Sequence, residues 1–116
     1  MTHPSPELTP DNYCHIIEAE RNNCRHINLY NVGNDWIAFE QSAYMLSFIL
    51  PKCSVLRANF SGYPFPVIIA IIGDNALREY TLKHIISKIS PSHYILLGKP
   101  FDITTYNNWH RRQLKM

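Results

Sequence analysis

Arg25-His-Ile-Asn-Leu-Tyr-Asn-Val-Gly33-Asn34-Asp35-Trp36-Ile-Ala-Phe-Glu-Gln-Ser-Ala-Tyr-Met-Leu-Ser-Phe-Ile-Leu50 is the stretch on which the fold turns. Its first part alternates at period two, Ile27 and Leu29 against Asn28 and Tyr30, as a half-buried strand does. Gly33 punctuates, because glycine bends freely out of a strand. Asn34 or Asp35 then supplies an N-cap oxygen, and the spacing predicts a helix over 36–50. Trp36, Phe39, Ala43, Leu46 and Leu50 make one stripe of it, and Ile37, Tyr44, Met45 and Phe48 widen that stripe beyond a normal surface face. Such a helix must be covered on more than one side.

Upstream, Met1 to Leu8 is polar and proline-rich and reads as a loose arm, with residues 9–116 as a single α/β domain. Thr9 as N-cap and Pro10 at the first helical position open a helix that runs to about Arg21. Downstream, Ser54 to Phe60 reads as a strand and the run from Ser61 to Pro66 as a loop with exposed aromatics. Val67-Ile-Ile-Ala-Ile-Ile72 is continuously apolar, as an interior strand covered on both faces must be. A helix over about 75–89 follows, with Leu77, Leu82, Ile85, Ile86 and Ile89 inward. His93 to Leu97 is the next buried strand. Asp102 caps a last helix, where Phe101 and Tyr106 form a hydrophobic staple. The expected order is α-β-α-β-β-α-β-α around a mixed sheet. "Strand, Val-Gly-Asn-Asp, helix" at 27–50 echoes "strand, Ile-Gly-Asp-Asn, helix" at 67–89, which reads as shared turn chemistry.

With 116 residues there is chain for one core. An apolar fraction of 46% beside 17% charged residues belongs to a folded protein, and a net charge of +2 does not by itself mark a nucleic-acid binder. No secretory signal is read at the N-terminus and no run is long enough to span a bilayer, so a cytoplasmic protein without membrane contact is expected. Cys14, Cys24 and Cys53 are odd in number and unpatterned, which argues for reduced thiols.

The chemistry-bearing patterns are thin. Each Gly-acid turn has one glycine beside an aspartate, unlike a phosphate loop. Cys14-His15 and Cys24-x-His26 match no common zinc spacing, so no metal and no cofactor is expected. No nucleophile elbow is present, and no cysteine sits in a basic cluster; the chain reads as non-enzymatic. Tyr63 and Phe65 in the loop, Trp36, and Arg111, Arg112 and Lys115 at the C-terminal helix end offer stacking rings and phosphate contacts. The rival is a protein partner or a homodimer through the apolar helix 36–50.

Taken together, Val32-Gly33-Asn34-x-aromatic, Phe39 and Ala43, then Asn75-Ala76-Leu77 with Tyr80, Leu82 and Lys83 after an apolar strand, resemble the N-terminal, mismatch-recognition domain of the MutS DNA mismatch-repair family over about residues 12–98. The resemblance implies a small α/β module that contacts DNA around Asn34 and Trp36. In that family a Phe wedges against the mispaired base and a nearby Glu hydrogen-bonds to it. Here the ungapped positions hold Asp35, Trp36 and Ile37, and a one-residue slip puts Trp36 on the wedge with Ala38 at the acid. The Phe-x-Glu pair is absent either way. The expected function is therefore an accessory DNA-binding module without wedge chemistry, or alternatively an interaction or self-association module on the same fold.

Overall fold

A computed structural model describes residues 10–115, with side chains from Tyr13 onward. The expected arm at 1–8 and the Thr9 cap lie outside the described residues. The elements are α1 (Pro10–Glu20), β1 (His26–Val32), β2 (Asp35–Phe39), α2 (Gln41–Ile49), β3 (Ser54–Ala58), β4 (Val67–Gly73), α3 (Asp74–Thr81), β5 (Ser87–Ser90), β6 (His93–Leu97) and α4 (Ile103–Leu114). Six strands form one sheet in the order β3-β4-β2-β1-β6-β5, and every neighbouring pair is antiparallel. The α/β class holds. The expected mixed sheet does not, and the order gains two strands.

The first added strand lies in the organising stretch. Residues 35–39 are not the start of a helix but the second arm of a hairpin, with Val32 opposite Asp35 and Tyr30 opposite Ile37. Gly33 and Asn34 are the two-residue loop, and Gly33 has φ of 63°. A positive φ at the first loop residue is what a type II′ hairpin asks of glycine. The same glycine read as a stop before a helix is thus a turn between paired strands. Parity then separates residues that a helix would align: Trp36 and Ala38 face α2, while Ile37 and Phe39 face α1. The echo at 67–89 is one of sequence only, since there Gly73 does pass directly from β4 into α3.

The second added strand shortens α3. That helix ends at Thr81, whose hydroxyl donates to the Arg78 carbonyl. The β-branched run beyond it is claimed by pairing with β6, through Ser87 opposite Ile95 and Ser90 opposite His93. Leu82, Ile85 and Ile89, expected inward, are exposed. Ser90 and Pro91 border a hairpin turn instead of breaking a helix.

Two cores sandwich the sheet. Ile27, Leu29, Trp36, Ala38, Ile68, Ala70, Ile72 and Leu96 pack with Tyr44, Met45 and Leu46 of α2, Leu77 of α3, and Tyr106 and Trp109 of α4. On the other face Tyr30, Phe39, Val67 and Ile69 pack with Ile16 and Ile17 of α1. Val67 to Ile72 is therefore apolar throughout because both its faces are covered, as its sequence requires. Residues Gln41 to Leu46 of α2 are all buried, and Tyr44 meets Trp109 of α4 at 5.0 Å between rings. Of α2 only Phe48 is exposed, with Ser47 and Ile49 half-buried, and residues 36–39 of the expected helix 36–50 are strand.

Where the chain leaves β6, Gly98 donates its N–H to the Arg25 carbonyl at 2.7 Å. A Cβ there would stand 2.5 Å from Met45 Sδ and 3.1 Å from the Arg25 carbonyl oxygen. Gly98→Ala should cost about 1–3 kcal/mol by overpacking, seen as a lower urea midpoint with an unchanged slope.

Candidate functional site

Between β2 and α2 stands Glu40, the only non-glycine with positive φ among the described residues (φ 50°, ψ −114°). Such a backbone costs roughly 1–3 kcal/mol and persists only where its surroundings hold it. Here they do. The Glu40 N–H donates to the Ile68 carbonyl at 2.8 Å, and its carbonyl accepts from Tyr44 N–H at 2.9 Å, the first bond of α2. Its carboxylate Oε2 accepts from Ile68 N–H at 3.2 Å and from His110 Nε2 at 2.6 Å. One side chain thus ties β4 and α4 together while its backbone turns the chain from strand to helix.

The Glu40–His110 pair sits in a cleft of about 390 Å³ whose walls include Ile17, Arg21, Gln41, Tyr63, Phe65 and Asn107. Tyr63 and Phe65 lie edge to face at 5.9 Å, and Phe65 is 61% exposed. A ring held by its neighbour yet open to solvent is a stacking surface. Tyr106, also on the cleft wall, has its hydroxyl pKa pushed up by burial, with the charges of Glu40 and Glu20 adding to it. His110 donates from Nε2 to a largely buried carboxylate, which fixes the ring and leaves Nδ1 without a protein partner among the described residues. An imidazole so oriented can accept a hydrogen bond at Nδ1. The polar groups beside it (Arg21, Gln41, Asn107) are hydrogen-bonding groups rather than nucleophiles.

Loop and helix, far apart in sequence, are brought to this one cleft. Asn107, His110 and Leu114 line it from α4, and Arg111 is a helical neighbour of Asn107 and Leu114 at spacings of four and three. Arg111, Arg112 and Lys115 are exposed at the end of the same helix without lining the cleft, and Arg112 lies on the far side of the helix from Asn107, His110 and Leu114. Arg57 of β3 donates to the Leu114 carbonyl at 3.1 Å, tying down the end of the same helix.

The other expected site residues lie elsewhere. Asn34 is exposed in the hairpin loop, with the whole of β2, about 17 Å of strand, between it and Glu40. Trp36 is 3% exposed, stacked on Tyr94 at 4.3 Å, and its indole N–H donates to Asp74 at 3.0 Å. Its ring offers no face to a base, because the strand conformation turns it into the main core. Glu40, Arg21 and Gln41 escaped the reading of the sequence as site residues, and His110 reads there only as part of the basic helix end. The only local sign of Glu40 and Gln41 is an acid and an amide directly after an apolar segment.

A separate polar cluster closes α1 onto the rest. Glu20 is 2% exposed and its carboxylate accepts four bonds: from Ser42 N–H and Asn23 Nδ2 on Oε1, and from Ser42 Oγ and Asn28 Nδ2 on Oε2. Asn28 in turn meets His93 Nε2 at 3.1 Å. Burial raises the Glu20 pKa above the ordinary carboxylate value while these four bonds pull it down. Every polar group of that carboxylate is used, so the cluster is a clasp and not an open site.

The described residues hold no group of three or more histidine, cysteine or acidic side chains placed to grip a metal ion, and no helix among them is long and apolar enough to cross a membrane. Compared with known proteins, the chain matches no family model, no curated protein and no solved structure.

Proposed function

We propose that the chain is a non-catalytic, accessory nucleic-acid-binding module that takes a DNA strand along the Tyr63–Phe65 cleft and the basic end of α4. The observation that carries this reading is the edge-to-face Tyr63–Phe65 pair on the cleft wall, with Phe65 open to solvent, beside a helix that lines the same cleft and bears exposed Arg111, Arg112 and Lys115 near its end. Aromatic rings take bases by stacking, and arginines and lysines take phosphates. The likeness to the mismatch-recognition domain of the MutS family belongs to the same reading. The DNA-contacting ring passes from the Trp36 position to Phe65, and the wedge function is not retained.

Fluorescence anisotropy with labelled single-stranded and duplex DNA at low salt tests it. Phe65→Ala should weaken binding by roughly 5- to 100-fold, the range of one lost stack. Arg111→Ala with Arg112→Ala should flatten the dependence of log K on log salt by about two charges' worth, leaving the melting temperature unchanged. Absence of binding to either DNA at low salt defeats the reading. A second reading, a protein-interaction or self-association module, is favoured by two observations: the burial of Trp36 and the exposure of three large aliphatic side chains beyond α3.

A further inference from the structure

The chain leaving α3 forms an apolar ridge on a firm base. Leu82 is 85% exposed, Ile85 97% and Ile89 60%. Ile86 from the same run packs against the main core, and Tyr80 stacks on His84 at 3.9 Å, so the ridge is held from beneath. Leu82 borders a cleft on either side. One, of about 470 Å³, is lined also by Leu77, Glu79 and Lys88; the other, of about 410 Å³, by Ala76, Glu79 and Lys83.

We infer that this face binds a second copy of the chain in a two-fold contact, the Leu82–Ile85 ridge of each protomer seated in a cleft of the other. The inference rests on the self-association reading and is independent of DNA. A knob beside a hole on one face is self-complementary, which is what an isologous contact needs. Charge selects the same occupant. Glu79 borders both clefts, Lys88 one and Lys83 the other, and none of the three forms an ion pair within the described residues. A two-fold partner brings lysines to each Glu79 and a glutamate to each lysine. The two clefts carry both signs, Arg78, Lys88, Lys83 and Lys52 beside Glu79 and Asp74. A second copy matches both, whereas a uniformly anionic lipid headgroup layer or nucleic acid leaves Glu79 and Asp74 facing like charge.

Sedimentation velocity of the full chain over a wide concentration range reads the outcome. The native protein should pass from monomer to dimer, and Ile85→Asp and Leu82→Asp should each weaken that step at least tenfold. Both positions are so exposed that folding, checked by circular dichroism, should be unaffected. Glu79→Lys should break the dimer, and mixing it with the Lys83→Glu, Lys88→Glu double variant should restore a mixed dimer. A native chain that stays monomeric at all concentrations overturns the inference and the self-association reading together. A native dimer untouched by Ile85→Asp and Leu82→Asp overturns only this surface.

Discussion

Trp36→Ala is expected to destabilise the protein by about 3–5 kcal/mol, the usual cost of emptying a buried aromatic site. The indole fills the main core among Ala38, Ile72 and Leu77, stacks on Tyr94, and gives its N–H to Asp74. Alanine removes all three contributions, and the cavity is bounded by strand residues that cannot close over it without breaking sheet bonds. Trp36→Phe keeps a ring in place and should cost about 1–2 kcal/mol, mostly the lost hydrogen bond. The Trp36 indole N–H, followed by Arg78, holds the Asp74 carboxyl below its ordinary value. In Trp36→Phe that carboxyl should therefore titrate at higher pH, which NMR can follow directly. Urea denaturation gives the stability, with Trp109 as the remaining fluorophore. If Trp36→Ala were to leave stability intact while abolishing DNA binding, the packed position described for this ring would be wrong.

Glu20→Ala should cost about 3 kcal/mol, because it leaves buried donors without acceptors. Asn23 Nδ2 and Ser42 Oγ keep a second acceptor in the His26 carbonyl. Ser42 N–H and Asn28 Nδ2 have no second acceptor among the described residues, at roughly 1–3 kcal/mol each. For a domain of this size that corresponds to a fall in melting temperature of about 10 °C. The pH dependence has a definite sign. With its pKa raised in the folded state, Glu20 holds a proton over a window in which the unfolded chain has released it. Stability from this group is thus full below the ordinary glutamate value and is lost as pH rises through the raised one. Glu20→Gln should flatten that decline in melts taken across mildly acidic pH. A wild-type stability that rises across the same window, unaltered by Glu20→Gln, would contradict it.

How much of this was legible in the sequence differs from element to element. Val67 to Ile72 announced itself because burial on both faces leaves no room for a polar residue. Asp102 and the Phe101–Tyr106 staple were readable because capping is local: Asp102 accepts from Thr105 N–H at 3.1 Å, and the two rings lie 5.7 Å apart. Residues 35–39 misread because a short apolar run fits either period, and the deciding partners, Tyr30 and Ile71, lie on other strands. The same ambiguity hid β5 inside an apparent helix. The cleft was half visible. Tyr63 and Phe65 were named, but Glu40 and His110 stand 70 residues apart and meet only when the sheet carries β2 to α4.

The sheet's pairing order also bears on kinetics. Three hairpins, β1–β2, β3–β4 and β5–β6, can each zip from their own turn, as local contacts do within about 1–10 μs. Two seams join them. β2–β4 spans a helix and a strand, whereas β1–β6 closes across most of the chain between. The longer the intervening loop, the greater the entropy to be overcome before any contact is gained. The β1–β6 seam is accordingly the late event in folding. Ile27 and Leu96, which face each other across it, are where a substitution speeds unfolding more than it slows folding.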